Sequence, residues 1–148
     1  MTAQLEYTLN KASAVEIAAH LSSCDADFVP TLSSRVEICS YAEKIARNAI
    51  RIEAWAGSLL VGLVAAYCND HKELTAYISS VSVLKTWGRK GIAAKLLMQC
   101  IDLAKANGMQ QISLEVASEN TAAIKLYERS GFVTSGLKAP FVCMICIF

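Results

Sequence analysis

Apolar residues recur along this chain with two spacings, which separate the predicted strands from the predicted helices. Alternation with polar residues, as at Leu5, Tyr7 and Leu9, predicts strands, and apolar stripes at every third or fourth position predict helices. The predicted strands cover residues 5–9, 50–56, 59–67, 75–83, 112–116, 132–137 and 141–148, and the predicted helices cover residues 14–22, 36–49, 92–106 and 121–130. The resulting order, β-α-α-β-β-β-α-β-α-β-β, indicates an α/β fold in which one mixed sheet carries helices on both faces.

Residues with known capping and turn preferences stand at several of these boundaries. Ser13 and Asn120 precede predicted helices, where a side-chain oxygen can accept from a free backbone amide. Gly131 follows the last predicted helix, and Gly57 and Ser58 separate two strand-like runs as a hairpin turn would. The boundaries therefore agree with the periodicity.

Length and composition narrow the class of protein. A chain of 148 residues with 54% apolar residues fits one domain, over residues 1–148, with a substantial core. A net charge of +1 argues against a nucleic-acid partner, because proteins that bind nucleic acids normally carry a strong excess of basic residues. No apolar run approaches the roughly 18 residues of a membrane span, and no signal-peptide pattern is visible near Met1. We therefore expect a cytoplasmic protein without a membrane partner.

The six cysteines are expected to be reduced and chemically inert. They are scattered through mostly apolar surroundings, where a free thiol behaves as a small hydrophobe. Cys143 and Cys146 form a C-x-x-C pair, but in a predicted strand this spacing directs them to opposite faces. His20 and His71 lack the spacing of metal ligands, so no metal site is predicted.

The stretch from Val81 to Ala93 runs from a strand through a basic loop with two glycines into a helix. Free amides at a helix N-terminus attract anions, and glycine lets a phosphate approach the backbone closely. Arg89 and Lys90 add positive charge beside those amides. The pattern is neither a Walker loop nor a G-x-G-x-x-G turn, and a plain helix entry with solvated charges would also explain it.

A second stretch places Asn120 at the start of a helix and Tyr127 seven residues later. Two helical turns bring these side chains to roughly one face, about 10 Å apart along the axis. By themselves they would be interpreted as an N-cap and a packing tyrosine.

Together the two stretches resemble the GNAT superfamily of N-acetyltransferases. The family's acetyl-CoA signature, Q/R-x-x-G-x-G/A, corresponds here to Gly88, Arg89, Lys90, Gly91, Ile92 and Ala93. The later family block, an Asn before a helix ending in L-Y-x-x-x-G-F, corresponds to Asn120, Leu126-Tyr127 and Gly131-Phe132. Gly88 departs from the pattern, because it stands where the family usually has Gln or Arg.

The resemblance implies a fold of about seven strands in a splayed mixed sheet, with about four helices. It further implies an acyltransferase that moves acetyl from acetyl-CoA to the primary amine of a small molecule by direct attack in a ternary complex. Backbone groups at Val81, Ser82 and Val83 would bind the pantetheine arm and polarise the thioester carbonyl. Asn120 would contact the pantetheine, and Tyr127 would be the general acid for the leaving thiolate. Dimers are common in the family, so the resemblance also admits a homodimer.

The general base is the least defined part of this hypothesis. Many family members carry a Glu on the fourth strand, where this chain has Tyr77-Ile78-Ser79-Ser80. Glu115 is the tentative base, and the alternatives are Glu53, Asp70, His71 or a water held by Ser79 or Ser80. An acceptor pocket could be lined by Arg35, Glu37, Tyr41 and Glu43, which would otherwise be exposed helix residues.

Three competing functions stay open at this stage. A protein N-terminal acetyltransferase would share the block containing Asn120 and Tyr127. A non-catalytic acyl-CoA sensor would fit Gly88 and the missing strand glutamate, although the presence of Tyr127 argues against it. A doubly wound nucleotide-binding domain is disfavoured by the hairpins and by the absence of phosphate-loop patterns.

Overall fold

Residues 4–148, the part of the chain that the computed structural model describes, contain a mixed sheet of seven strands and four α-helices. The strands are β1 (Leu5–Leu9), β2 (Ile50–Ala56), β3 (Leu59–Tyr67), β4 (Thr75–Val83), β5 (Gln111–Ala117), β6 (Val133–Lys138) and β7 (Phe141–Ile147). The helices are α1 (Ala14–Cys24), α2 (Ile38–Asn48), α3 (Ile92–Ala106) and α4 (Thr121–Arg129), and short 3-10 helices occupy Asp25–Asp27, Leu32–Ser34 and Lys85–Trp87.

The order of elements and the fold class predicted from the sequence are confirmed. Ser13 and Asn120 cap α1 and α4 as predicted, and Gly131 follows α4 with a φ of 104°. Helix α2 begins two residues later than predicted, at Ile38. The Glu37 carboxylate accepts from the Ser40 amide there, so Glu37 is the N-cap and not a helical residue.

The strands lie in the order β1-β2-β3-β4-β5-β7-β6. All neighbouring pairs are antiparallel except β4 and β5, which are parallel. The final hairpin inserts β7 between β5 and β6, so β6 forms one edge of the sheet and β1 forms the other. The parallel pair is therefore placed in the interior of the sheet.

Helices cover both faces, and each face has its own apolar core. The α3-side core contains buried residues of α3, Tyr127 of α4 and the facing strands, including Leu97, Cys100, Phe132 and Met144. The α1-side core is formed by α1, α2 and the opposite faces of β2 and β3. In β3, a Cβ on Gly62 would lie 2.9 Å from Ile92 Cγ2 and 3.0 Å from Leu96 Cδ1. The missing side chain therefore lets the first turns of α3 approach the sheet closely.

The six cysteines are unpaired thiols, and Cys143 and Cys146 lie on opposite faces of β7 as predicted. Cys143 is paired across the sheet with Glu115, whereas Cys146 packs against the α3-side core. Within residues 4–148, no helix combines the length and apolar character that a bilayer crossing requires. The described residues also hold no cluster of three His, Cys, Asp or Glu side chains placed for a metal ion.

A buried carboxylate joins β1, the start of α1 and β2. Glu53 has 0% exposure, and it accepts from Thr8 Oγ1 at 2.7 Å and from the amides of Lys11 and Ala12 at 3.0 and 2.9 Å. Trp55 Nε1 donates to the same carboxylate at 3.3 Å, and Arg51 Nε lies 3.7 Å from it. Burying this charge is tolerable because both oxygens are bonded and a cation stands beside them.

We predict that Glu53→Gln lowers the free energy of unfolding by about 3 kcal/mol, because it leaves several buried donors and Arg51 without a charged partner. Urea denaturation monitored by circular dichroism measures the change. Glu6→Gln is the control, because Glu6 pairs with Lys11 at 3.9 Å on the exposed surface. The control should change stability by less than about 0.5 kcal/mol. Equal effects of the two substitutions would contradict this role for Glu53.

Candidate functional site

The parallel pairing of β4 and β5 ends after three residues and opens a cleft in the sheet. Thr75, Ala76 and Tyr77 pair with residues 111–113, and beyond Ser113 the two strands no longer pair. Strand β4 continues to Val83 and β5 to Ala117, so the second half of each strand borders a gap. The gap forms a cleft of about 360 Å³ whose walls come from both faces of the sheet.

A β-bulge on β4 changes which side chains face each side of this cleft. Ala65 pairs with Ser80 and Ala66 pairs with Ile78, so Ser79 is an extra residue. Before the bulge Ile78 packs in the α3-side core, and after it Val81 takes that side. Ser80 and Ser82 consequently point toward α1 and α2.

The N-terminus of α3 presents unpaired amides next to the cleft. The first helical bond runs from Lys95 N to Gly91 O, and no described residue accepts from the amides of residues 89–94. Gly91 caps the helix with a φ of 75°, and nothing lies within 4 Å of where its Cβ would be. This backbone is therefore open to an anion.

A cavity of about 280 Å³ covers these amides and shares Val83, Ala93 and Leu126 with the cleft. Arg89 and Arg129 line this cavity, so positive charge reaches it from the loop before α3 and from α4. Gly88 differs from its neighbours, because its amide already donates to Lys85 O at 3.1 Å. Of the residues predicted to bind phosphate, Lys90 does not line this cavity, and Gly88 lines it without a free amide. The cavity is also lined by Arg89, Gly91, Ile92 and Ala93.

Tyr127 lies in the wall of the cleft on the α3 side. Its ring packs edge-to-face against Phe132, with centroids 5.9 Å apart and an interplanar angle of 63°. Burial raises the pKa of Tyr127 to about 12. The phenol is therefore protonated throughout the neutral range and has a proton to donate.

Asn120 also lines the cleft, at the N-terminal end of the helix that carries Tyr127. Its Oδ1 accepts from Ala123 N at 3.2 Å, which leaves the Nδ2 donors without a described partner. Asn120 thus caps the helix and can still offer an amide group to the cleft.

Aromatic and charged residues form the wall on the α1 side. Tyr41 OH donates to Ser79 O at 3.0 Å and also contacts the Ser79 hydroxyl, which fixes α2 against the bulge. Arg35 lies 4.8 Å over the ring of Phe141. Burial, and then the charge of Glu115, raises the pKa of Tyr77. Of the four predicted acceptor-pocket residues, Arg35 and Tyr41 line the cleft.

Only some of the candidate general bases lie at the cleft. Glu115 lines the cleft, and its carboxylate lies 3.5 Å from Lys138 Nζ. Ser79 and Ser80 also line it, and Ser80 Oγ is buried without a hydrogen-bond partner among the described residues. Glu53 is occupied in its structural network, and the Asp70 carboxylate accepts from the amides of Lys72 and Glu73 in a turn. Neither Glu53, Asp70 nor His71 lines the cleft.

Several residues of the site were not predicted from the sequence. Arg129, Trp87 and Phe141 line the cavities, and His20 hydrogen-bonds the cleft residue Ser82. Arg129 was detectable as the basic residue in the last turn of the helix that carries Tyr127. The others carry no local signal, because their partners lie on elements distant in sequence.

Comparison with known proteins agrees with this geometry. Residues 17–132 match the model of the acetyltransferase (GNAT) family. Among curated proteins, N-alpha-acetyltransferase 30 of Schizosaccharomyces pombe (strain 972 / ATCC 24843) is 36% identical over 74 residues, which is 49% of this chain and 49% of that protein. The chain spans about half or less of the length of the first curated relatives, which also include proteins covered at 39% and 43%.

Solved structures share the fold. A proposed streptothricin acetyltransferase from Bacillus anthracis str. Ames, in complex with acetyl coenzyme A, is 28% identical with a TM-score of 0.60 over 68% of this chain and 63% of that one. PaiA N-acetyltransferase from Thermoplasma acidophilum, in complex with coenzyme A, has a TM-score of 0.74 over 97% and 99%. At 15% identity, that second likeness concerns the fold alone.

The raised pKa of Tyr127 predicts a pH dependence of stability. A pKa of about 12 in the folded state exceeds the value near 10 of an unfolded tyrosine, so the fold favours the neutral phenol. The stability that the fold gains from the neutral phenol is fully present below pH 10 and is lost as the pH rises from about 10 toward 12. The difference in unfolding free energy between wild type and Tyr127→Phe should therefore shrink by up to about 1.4 kcal/mol per pH unit above pH 10. Urea titrations at several alkaline pH values measure it, and a constant difference would contradict the prediction.

Proposed function

This chain belongs to the acetyltransferase (GNAT) family, and on that premise we propose that it transfers acetyl from acetyl-CoA to the primary amine of a small molecule. The reaction proceeds by direct attack of the amine in a ternary complex. The observation that carries the proposal is the cleft between β4 and β5, which adjoins the unpaired amides of α3.

The residues around α3 fit the phosphates of acetyl-CoA. The amides of residues 89–94 have no acceptor in the described structure, and Gly91 leaves room for a phosphate beside them. Arg89 and Arg129 add charge on both sides of the cavity. Because backbone amides supply the main contact, the absence of a Gln or Arg at position 88 does not remove the site.

The pantetheine arm is proposed to run from that cavity into the cleft, past the three residues that the two spaces share. Val81, Ser82 and Val83 border the cleft where β4 has no strand neighbour on the β5 side. Their free backbone groups would bind the arm and polarise the thioester carbonyl, and Asn120 Nδ2 would donate to the arm from the opposite wall.

Tyr127 is the proposed proton donor to the leaving thiolate. An ordinary thiol has a pKa near 8.5, which would make transfer from a phenol of pKa about 12 uphill by roughly 5 kcal/mol. Burial acts on thiols in the same direction, however, and raises the pKa of Cys100 in the α3-side core to about 12. Enclosure beside Tyr127 would raise the pKa of the leaving thiol in the same direction and so reduce this difference, which would ease proton transfer along their hydrogen bond.

The acceptor ammonium must lose two protons to become an amide nitrogen. Glu115 is the proposed base for the first, because its carboxylate faces the cleft from β5. A water held by Ser79 or by the unpartnered hydroxyl of Ser80 could relay that proton. Lys138 stays near the carboxylate and would be displaced by the incoming ammonium.

The size of the cleft supports a small acceptor. A volume of about 360 Å³ is at the low end for ligand sites and must also hold the acetylated end of the pantetheine arm. A protein N-terminus is the second candidate acceptor, because the sequence is similar to N-alpha-acetyltransferases. Those similarities cover only about half of this chain, so they support the chemistry more than the substrate.

The first experiment titrates acetyl-CoA by calorimetry and then follows free thiol with a panel of small amines and N-terminal peptides. We expect binding, and thiol release with one class of small amine. Release with peptides alone would assign the N-terminal activity. Binding without release would identify a sensor, and no binding would contradict the proposed function.

Arg129→Gln should weaken acetyl-CoA binding about 5- to 10-fold, because it removes one charged contact worth roughly 1 to 1.5 kcal/mol. Lys125→Gln is the matched control, since Lys125 is on the same helix but does not line the cavity. Calorimetry measures both, and equal affinities for the two variants would remove Arg129 from the site.

Tyr127→Phe should lower kcat about 100-fold with little change in the Kd for acetyl-CoA, because the lost hydroxyl serves the leaving group. Tyr7→Phe changes a tyrosine of β1 outside the cleft and should retain wild-type kcat. Unchanged turnover in Tyr127→Phe would exclude it as the proton donor.

A further inference from the structure

A buried histidine is hydrogen-bonded to the wall of the cleft. His20 on α1 has 4% exposure, and its Nε2 lies 2.9 Å from Ser82 Oγ. Its Nδ1 lies 2.9 Å from the Leu60 carbonyl oxygen on β3. Ser82 is on β4 and borders both the main cleft and an adjoining cavity of about 180 Å³. The three groups form a chain from β3 through α1 to the cleft.

The partners determine the direction of each hydrogen bond. A carbonyl oxygen can only accept, so Nδ1 carries the proton and donates to Leu60 O. In the neutral imidazole, Nε2 is then unprotonated and accepts from the Ser82 hydroxyl. The neutral Cys24 thiol also lies within hydrogen-bond reach of the Ser82 side chain, and a second lone pair of Ser82 Oγ can accept from a donor in the cleft.

The surroundings keep the imidazole neutral, so that Nε2 can accept a proton. Burial lowers the pKa of His20, more than its hydrogen bonds raise it. Cys24 Sγ lies 3.8 Å from Nε2, and burial, followed by the charge of Asp27, raises the Cys24 pKa to about 11, so this thiol is neutral. Glu16 shares a surface depression with His20, but its carboxylate accepts from the Ser13 amide. From β2 and β3 the depression is lined by Trp55 and Leu60, which carry no charge.

We propose that Ser82 and His20 are a proton-accepting pair that removes the second proton from the acceptor nitrogen. This inference rests on the proposed acetyl transfer. As the N–H bond of the acceptor breaks, a new O–H bond forms at Ser82 Oγ. The original Ser82 proton passes to His20 Nε2, which becomes an imidazolium bonded to Leu60 O and Ser82 Oγ. After the product leaves, the proton returns through Ser82 to water in the cleft, and no oxidant or reductant is needed.

The position of the pair suits this proton better than Glu115 does. Ser82 lies between Val81 and Val83, whose backbone is proposed to hold the thioester, whereas Glu115 lies on the opposite strand. The nitrogen becomes a strong acid only after it has attacked the thioester carbon. A weak, buried base next to the reacting carbon is then sufficient, and a solvated one is not required.

The test compares His20→Gln with His71→Gln. A glutamine at position 20 can donate to Leu60 O and accept from Ser82, so it preserves the hydrogen bonds but cannot take up a proton. With the best amine of the panel, we expect kcat to fall about 10- to 100-fold at pH 7 and the Kd for acetyl-CoA to stay unchanged. His71 is exposed in a turn, and its variant should match wild type.

The pH profile separates proton transfer from a merely structural role. In wild type, kcat/KM should rise with pH through an inflection below pH 6.5, because His20 must be neutral to act. That inflection should be absent in His20→Gln. Ser82→Ala should lower kcat by a similar factor, and Ser82→Thr should restore most of the wild-type kcat because it keeps a hydroxyl. The double variant His20→Gln/Ser82→Ala should have a kcat no lower than that of either single variant. An active His20→Gln with the wild-type pH profile would overturn the pair and leave the acetyl transfer intact.

An imidazole ¹⁵N measurement on the wild-type protein tests the pair without relying on turnover. The chain of bonds requires the Nδ1–H tautomer of His20, assigned by comparison with His20→Gln. An Nε2–H tautomer would overturn the proposal, because such an imidazole donates to Ser82 and cannot accept its proton. A different outcome would contradict the proposed function itself, and with it the role of the pair. In that outcome, wild type has the Nδ1–H tautomer of His20 and binds acetyl-CoA, but it acetylates no amine.

Discussion

The site depends on one constraint in the sheet, namely that β4 and β5 stay paired for only three residues. Past Tyr77 and Ser113 each strand has a free edge, and unpaired backbone groups need partners. A ligand arm between the strands would supply them, which is why an apparent defect in the sheet can serve as a binding cleft. The bulge at Ser79 and the close seating of α3 on Gly62 both lie next to this opening.

Burial shifts the pKa values of Tyr127 and His20, on the two sides of the cleft, in opposite directions. On the α3 side it holds the proton on Tyr127, and on the α1 side it removes the proton from His20. Both effects follow from the cost of charge in a medium of low polarity. The same medium makes the thiols of Cys24 and Cys100 poor nucleophiles, since burial raises the pKa of both. The fold thus places a buried phenol and a buried imidazole, both favoured in their neutral forms, on either side of one gap.

Some charged side chains stabilise the fold, and others line the cleft and the cavity beside it. Glu53 is saturated with donors and ties β1 and α1 to β2, so its charge is part of the framework. Glu115 and Arg35 remain accessible in the cleft wall. Arg89 and Arg129 line the cavity beside the unpaired amides at the start of α3. A net charge of +1 is consistent with this arrangement, since the charged side chains act on their immediate surroundings and no large excess of one sign is needed.

The sequence by itself determined the order of elements, the caps at Ser13 and Asn120, and the glycine-containing loop at the entry of α3. These features depend on residues within a few positions of one another, where backbone geometry links spacing to structure. Only the tertiary structure decided that Glu53 is structural and that Ser79 is a bulge. It also joined His20 to Ser82, which are 62 positions apart. Such contacts depend on strand register and helix packing, and no local pattern in the chain specifies either.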